Sequence, residues 1–260
     1  MNILVIGDIN GKAGRKAVKE LLPAVKKKYI IDFCIANAEN AAGGFGLTSE
    51  IASDLFSYGV DVITMGNHTW DNKELENFID SEPRILRPLN YPRGNPGHGS
   101  IVVDVKNIKV AVINLTGRVF MGNFDCPFRA AEEEIKWLKG SNPVIIVDFH
   151  AEATSEKIAL GWFLDGKVSA VVGTHTHVQT ADEKILPSGT AYITDVGMTG
   201  AHDSVIGIKK ELAIRRFLTQ MPVKFDVASE DIQFNALCVQ INTNDNKAEK
   251  VIRVSKKLSP

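Results

Sequence analysis

Short apolar runs alternate with longer amphipathic stretches along most of the chain. Residues 2–7 form an apolar run closed by Gly7-Asp8, the pattern of a strand buried on both faces. Residues 12–28 carry Ala17, Val18, Leu21, Leu22 and Val25 on one helical stripe, and Pro23 argues against an unbroken helix there. Lys26-Lys27-Lys28 reads as a solvated helix end that suits the negative pole of the helix dipole. The alternation repeats with strand 32–37, helix 48–58 capped by Thr48 or Ser49, strand 61–65 and helix 72–79. A Pro/Gly-rich loop covers 83–99. Beyond it, 100–105 and 108–114 read as a hairpin turning at Lys106-Asn107. Helix 129–139 leads into strand 143–149, and helix 154–164 into strand 168–173. Short strands at 184–186 and 190–194 flank Pro187-Ser188-Gly189. A helix at 208–219 precedes a last hairpin, 231–242 with 248–256, turning at Asn244-Asp245-Asn246.

Parallel β-α units followed by hairpins predict an α/β protein with a mixed sheet system covered by helices. No repeat, low-complexity tract or linker divides the chain, so residues 1–260 read as one domain.

Composition acts mainly by exclusion. An apolar fraction of 44% with 23% charged residues is that of an ordinary globular protein and excludes disorder. No apolar run approaches the length of a membrane span, and the first residues lack the basic region of a secretory signal. Thirty basic against 31 acidic residues leave a net charge of −1, which disfavours a long nucleic-acid partner. Cys34, Cys126 and Cys238 are widely spaced and odd in number, which argues against disulfides and a thiolate metal site and suits the cytoplasm.

The polar residues at the predicted strand ends carry the chemistry. Gly7-Asp8, Ala38-Glu39-Asn40, Gly66-Asn67-His68, His150 and Gly173-Thr174-His175-Thr176-His177 each follow a strand, where ligands gather in open α/β sheets. Singly, Asp8 is a possible helix cap and His68 or His150 a satisfied core group; together they form a constellation holding four of the six histidines. On an extended segment His175 and His177 point the same way, as a metal site requires. Asp8, Glu39, Asn40, Asn67, His150, His175 and His177 offer oxygen and nitrogen donors without sulfur, suited to iron, manganese or zinc. These donors exceed the needs of one catalytic zinc and fit two ions, with Glu39 able to bridge. His-Ala-Glu-Ala-Thr at 150–154 is not the zincin pattern.

In order and spacing, Gly7-Asp8, Gly66-Asn67-His68, His150 and His175-x-His177 resemble the calcineurin-like metallophosphoesterases. Gly-Asp-Ile-Asn-Gly (7–11), Ala-Asn-Ala-Glu-Asn-Ala-Ala-Gly-Gly (36–44), Met-Gly-Asn-His-Thr-Trp-Asp (65–71), Gly-Thr-His-Thr-His-Val-Gln-Thr (173–180) and Thr-Asp-Val-Gly-Met-Thr-Gly (194–200) look closer to the YmdB-like branch. The resemblance spans essentially the whole chain. It implies a four-layer α/β/β/α sandwich of two mixed sheets flanked by helices. The broad family's Asp-x-His becomes Asp8-Ile9-Asn10, and Glu39-Asn40 replaces its Gly-Asp-x-x-Asp. By resemblance, Asp8, Glu39, Asn40 and His177 would hold one ion, and Glu39, Asn67, His150 and His175 the other. Asn40 is either a ligand or a hydrogen-bond partner of a bridging water.

The resemblance implies two metal ions, iron first with manganese or zinc as alternatives. It also implies hydrolysis of 2′,3′-cyclic nucleotides to 3′-nucleotides, with His68 as general acid. The expected partner is a small phosphodiester, with no membrane and no long nucleic acid, and a homo-oligomer is compatible. A metal-containing regulatory protein, a phosphatase and a nuclease are the competing readings. Two divalent ions would outweigh Asp8 and Glu39 and make the pocket locally cationic. Gly43-Gly44-Phe45-Gly46 lacks the Walker signature and reads as a tight turn beside the metal pocket. Arg118, Phe120 and Phe128 either line a nucleotide pocket or pack the core, His202 is a further candidate to approach substrate, and His98 reads as a loop residue.

Overall fold

The computed structural model describes residues 1–141 and 143–259. In chain order β1 (Asn2–Ile6), β2 (Asp8–Ile9), α1 (Gly11–Tyr29), β3 (Phe33–Asn37), α2 (Ser49–Ser57), β4 (Val62–Thr64), α3 (Glu74–Phe78) and β5 (Ile85–Leu86) form the first part. There follow β6 (Ser100–Val105), β7 (Ile108–Thr116), α4 (Pro127–Leu138), β8 (Val144–His150), α5 (Thr154–Leu164) and β9 (Ala170–Thr174). The last part holds β10 (Lys184–Ile185), β11 (Ala191–Ile193), β12 (Met198–Ala201), α6 (Lys210–Thr219), β13 (Ile232–Asn242) and β14 (Lys247–Lys257).

Two mixed sheets result. One runs β2-β12-β13-β1-β3-β4-β5, with β14 also on β13; the other runs β10-β11-β9-β8-β7-β6. β1, β3 and β4 are mutually parallel, as are β7, β8 and β9. β14 occupies one edge of β13 from Gln233 to Asn242. A strand has two edges, so β1 (at 236–240) and β12 (at 232–233) share the other, end to end.

Side-chain alternation along the strands explains the layers. Ile3, Val5 and Ile35 of the first sheet face Val110, Val112, Ile146 and Val172 of the second across an apolar interior. The intervening Leu4, Ile6 and Cys34 face outward onto Ala17, Val18 and Leu22 of α1 and Leu55 of α2. Ile113, Ile145 and Val147 similarly face Ala131 and Ile135 of α4 and Leu160 of α5. The outcome is the α/β/β/α sandwich that the resemblance implied.

Departures from the sequence reading are local. α1 is unbroken, because Pro23 and Lys19 are both exposed and the carbonyl that loses its partner can be hydrated. Lys26 is not merely solvated; its ammonium donates to Gly59 O at 2.8 Å and ties the helix end to the turn before β4. The 83–99 loop contains β5, and β2 and β12 were missed, because two to four residues show no periodicity. Thr48 is the cap of α2, accepting from Ile51 N–H at 3.2 Å. The cysteines are unpaired, and among the described residues no helix is long and apolar enough to cross a membrane.

Candidate metal centre

The carboxyl ends of β1, β3, β4, β8 and β9 meet at one end of the sandwich, and the residues just past them converge. His150, the last residue of β8, is the hub. Its Nε2 lies 2.9 Å from Glu39 Oε1, 3.0 Å from Asn67 Oδ1 and 3.0 Å from His175 Nδ1. Ligands about 2.0–2.2 Å from one metal ion stand about 3–3.5 Å from each other, so this spacing, which also suits hydrogen bonds, is compatible with a shared metal ion. Glu39, His150 and His175 present ligand atoms all within 4.8 Å of one another.

Each histidine spends one ring nitrogen on the protein and turns the other to the cluster. Thr174 Oγ1 donates to Asp148 Oδ1 at 2.8 Å and accepts from His150 Nδ1 at 3.0 Å, leaving the lone pair on Nε2. His175 Nε2 pairs with Glu152 Oε2 at 3.1 Å. His177 Nδ1 donates to Ile206 O at 2.9 Å, so Nε2 faces Asn40 Nδ2 at 3.2 Å and Asp8 Oδ1 at 3.9 Å. Glu39 Oε1, which touches His150, also lies 3.5 Å from Asn40 Nδ2 and so stands between two donor groups.

The electrostatics call for positive charge among these atoms. A lone pair on His150 Nε2 beside the Glu39 carboxylate repels it unless a proton or a metal ion lies between them. Burial disfavours charge on His150, but Glu39, backed by Asp8 and Asp148, prevails and raises the imidazole to about 9. Burial likewise opposes ionising Glu39, and the His150 charge and hydrogen bond hold it down at about 2. Burial, with the positive His150 beside it, pushes His175 down to about 3. Asp8 is raised by its burial; its Oδ2 accepts from His175 N–H at 3.1 Å, whereas the buried Oδ1 has no hydrogen-bond partner. An unpartnered buried carboxylate oxygen is costly unless a cation neutralises it, so these residues fit bound metal.

The sequence dictates this packing at close quarters. A Cβ on Gly66 would lie 2.3–2.5 Å from the His150 ring, so only glycine lets the ring lie against the chain leaving β4. The His-x-His segment departs from the expected extended conformation. His175 and His177 have φ of 102° and 65°, a left-handed bend that non-glycine residues adopt under constraint. The constraint is a buried ion pair: Lys157 Nζ donates to Asp195 Oδ2 at 2.6 Å and to Thr174 O at 2.7 Å. The same carboxylate oxygen accepts from Thr176 N–H at 3.0 Å. The two imidazoles thus reach the cluster through a bend rather than along a strand.

His68 stands apart from the donor group. Its N–H donates to Glu39 Oε2 at 2.7 Å, its ring Nδ1 lies 2.7 Å from Asp71 Oδ2, and Phe45 meets the ring edge-on at 5.0 Å. It lines a cavity of about 490 Å³ together with Glu39, Asn40, His175 and His177. Asn10 lines it too, with a buried Oδ1 that has no partner. Gly44 and Phe45 of the predicted tight turn also border it.

The other candidates lie elsewhere. Phe128 packs edge-on against Phe163 at 5.5 Å, Phe120 projects into solvent, and Arg118 reaches Cys126 Sγ at 3.6 Å. His202 contacts Met198 O at 3.1 Å, and His98 forms a bridge with Leu86. Sequence reasoning missed Asp148 and Lys157, and gave no role to Thr174, Asp71, Glu152 and Asp195, which lie within its motifs. A signal existed for Asp148, a carboxylate inside the otherwise apolar run 144–149.

The YmdB-like protein family model matches residues 4–254. A 2′,3′-cyclic-nucleotide 2′-phosphodiesterase of Bacillus subtilis is 52% identical over 98% of this chain and 96% of its own length. The crystal structure of a novel phosphatase from Mycoplasma pneumoniae superposes with a TM-score of 0.94 at 38% identity, over 99% of this chain and 93% of that one. A hypothetical protein from Thermus thermophilus gives a TM-score of 0.92 at 41% identity over 99% of both chains. The family match takes in every donor from Asp8 to His177, and the chain belongs to the YmdB-like family.

Proposed function

We propose that this chain is a metal-dependent phosphodiesterase that opens 2′,3′-cyclic nucleotides at the 2′ oxygen and leaves 3′-nucleotides. The observation that carries this reading is the convergence of nitrogen and oxygen donors on His150 Nε2 within 3.0 Å, next to a cavity lined by His68. The 52% identity to the Bacillus enzyme supports the substrate class.

In this reading Asp8, Glu39, Asn40 and His177 would hold one ion, and Glu39, Asn67, His150 and His175 would hold a second. The sulfur-free set suits iron, with manganese or zinc as alternatives. When bound, such ions make hydroxide available at neutral pH and offset the charge on the phosphate. The Asp148–Thr174–His150 chain fixes the ring so that Nε2 faces Glu39 and Asn67, where it would serve as a ligand. Asp71 occupies Nδ1 of His68, so Nε2 is the nitrogen left to give a proton to the departing oxygen.

A phosphomonoesterase would use the same donors, and the Mycoplasma neighbour is described as a phosphatase. Hydrolysis of 2′,3′-cyclic AMP, bis-p-nitrophenyl phosphate and p-nitrophenyl phosphate by metal-loaded protein separates the readings. Preference for the cyclic nucleotide is expected; turnover of the monoester alone would refute the proposal.

A further inference from the structure

The cavity beside the cluster is divided by chemistry. Its lining includes the polar Glu39, Asn40, His68, His175 and His177 and, next to them, an apolar wall of Phe45, Ile206, Ile208, Phe225 and Val227. Phe45, Ile206 and Phe225 remain 48%, 52% and 38% exposed, so large apolar side chains face an open space beside a polar site. Such patches mark places that a ligand covers. A volume of about 490 Å³ is far more than a phosphate group fills and lies in the range of small-organic-ligand sites.

The wall is tied to the cluster. Ile206 O accepts from His177 Nδ1 at 2.9 Å, Ile208 bridges to Val227, and the Phe45 ring meets His68 at 5.0 Å. Of the polar groups near the wall, Asp226 is engaged by Lys209 at 3.5 Å. Asn10, against Gly207 of the wall, keeps an unpartnered Oδ1, and the two phenylalanines of the otherwise aliphatic wall suit stacking, which accepts any nucleobase.

We propose that this wall is the nucleobase site and that it decides which ester bond of the cyclic diester opens. The inference rests on the cyclic-nucleotide reading above. In a 2′,3′-cyclic nucleotide, O2′ sits on the carbon adjacent to the one bearing the base, and O3′ one carbon further. A base held against Phe45, beside His68, therefore brings O2′ rather than O3′ to the proton donor. Water passes one proton to solvent as its oxygen bonds to phosphorus and the P–O2′ bond breaks. The electron pair of that bond goes to O2′, which takes a proton from His68, and the phosphate stays on O3′. His68 later regains its proton from solvent.

The test measures kinetics and product identity for wild type, Phe45→Ala, Phe45→Tyr and Phe225→Ala. Substrates are 2′,3′-cyclic AMP and glycerol 1,2-cyclic phosphate, which has the ring diester without a base. Both alanine variants are expected to raise KM for the nucleotide about tenfold, the size of one lost stacking contact. They should also release 2′-AMP mixed with 3′-AMP and lose less on the glycerol diester, whereas Phe45→Tyr keeps 3′-AMP as sole product. Phe225 is partly exposed on a loop, so Phe225→Ala keeps the test intact if Phe45→Ala unfolds. Unaltered 3′-AMP product with equal losses on both substrates would overturn the inference, as would a product mixture from wild type. Wild type that cleaves neither cyclic diester would instead refute the phosphodiesterase reading, and this inference with it.

Discussion

Lys157 Nζ lies 2.6 Å from Asp195 Oδ2, and neither side chain reaches solvent. The pair does more than neutralise itself. Between them the two residues bind Thr174 O and Thr176 N–H, the backbone on either side of His175, and so hold the left-handed bend that aims both imidazoles.

Asp195→Ala leaves a buried ammonium without its carboxylate and frees the bend. A loss of about 3–5 kcal/mol is expected in urea unfolding. The paired substitution Lys157→Met with Asp195→Leu should recover part of that stability but not the metal affinity, because Thr176 N–H still lacks its acceptor. Recovery of both would make the ion pair a packing element only.

Asp148 accepts from Thr174 Oγ1 at 2.8 Å and Thr64 Oγ1 at 2.5 Å and touches no site ligand except through Thr174. Thr174→Val removes the hydroxyl that fixes the His150 tautomer. Metal affinity should fall about 10–100-fold in a chelator competition. Unchanged affinity would remove Thr174 from the support of His150.

His68 touches the donor group only through its backbone N–H. His68→Ala is therefore expected to retain its metal by elemental analysis while turnover of 2′,3′-cyclic AMP drops about 10²–10⁴-fold. Asp71→Asn should cost less, since the ring remains and only its orientation loosens. Metal loss in His68→Ala, with activity per bound ion unchanged, would make the residue a ligand.

Without metal, His150 carries the charge that Glu39 demands, and its folded value of about 9 lies above the unfolded value near 6.5. The stabilisation is fully present below about 6.5 and is lost as pH rises through about 9, at no more than about 1.4 kcal/mol per pH unit. Glu39 has the opposite sign: its contribution is present above its unfolded value of about 4.5 and fades as pH falls toward about 2. Thermal unfolding of chelator-treated protein should thus show decreasing stability from pH 6.5 to 9. Metal-loaded protein should not, because the ion displaces the proton and metal binding releases it. A metal-free protein that gains stability over that range would contradict this charge balance.

The strand ends were legible because their chemistry is concentrated in sequence. Gly7-Asp8, Glu39-Asn40, Asn67-His68, His150 and His175-x-His177 each follow an apolar run, and the β-α alternation places such ends together. The supports were less visible. Thr174, Lys157 and Glu152 act through tertiary contacts that no periodicity encodes, and Lys157 looks like an ordinary lysine on α5 until Asp195 is brought across to it. The bend at His175 and His177 was misread as extended because positive φ is rare outside glycine and asparagine, and here long-range hydrogen bonds impose it. β2, β5 and β12 are too short for a pattern; β2 forms because Asp8–Ile9 is brought beside Met198–Thr199, and β12 pairs in addition with β13.

The most direct test of a metal-dependent phosphodiesterase centred on Glu39 is metal content measured together with 2′,3′-cyclic AMP hydrolysis for wild type and Glu39→Ala. The account predicts about two ions per chain and 3′-AMP product for wild type, with loss of both ions and of turnover in Glu39→Ala. Glu39→Ala with full metal occupancy and undiminished hydrolysis would contradict it.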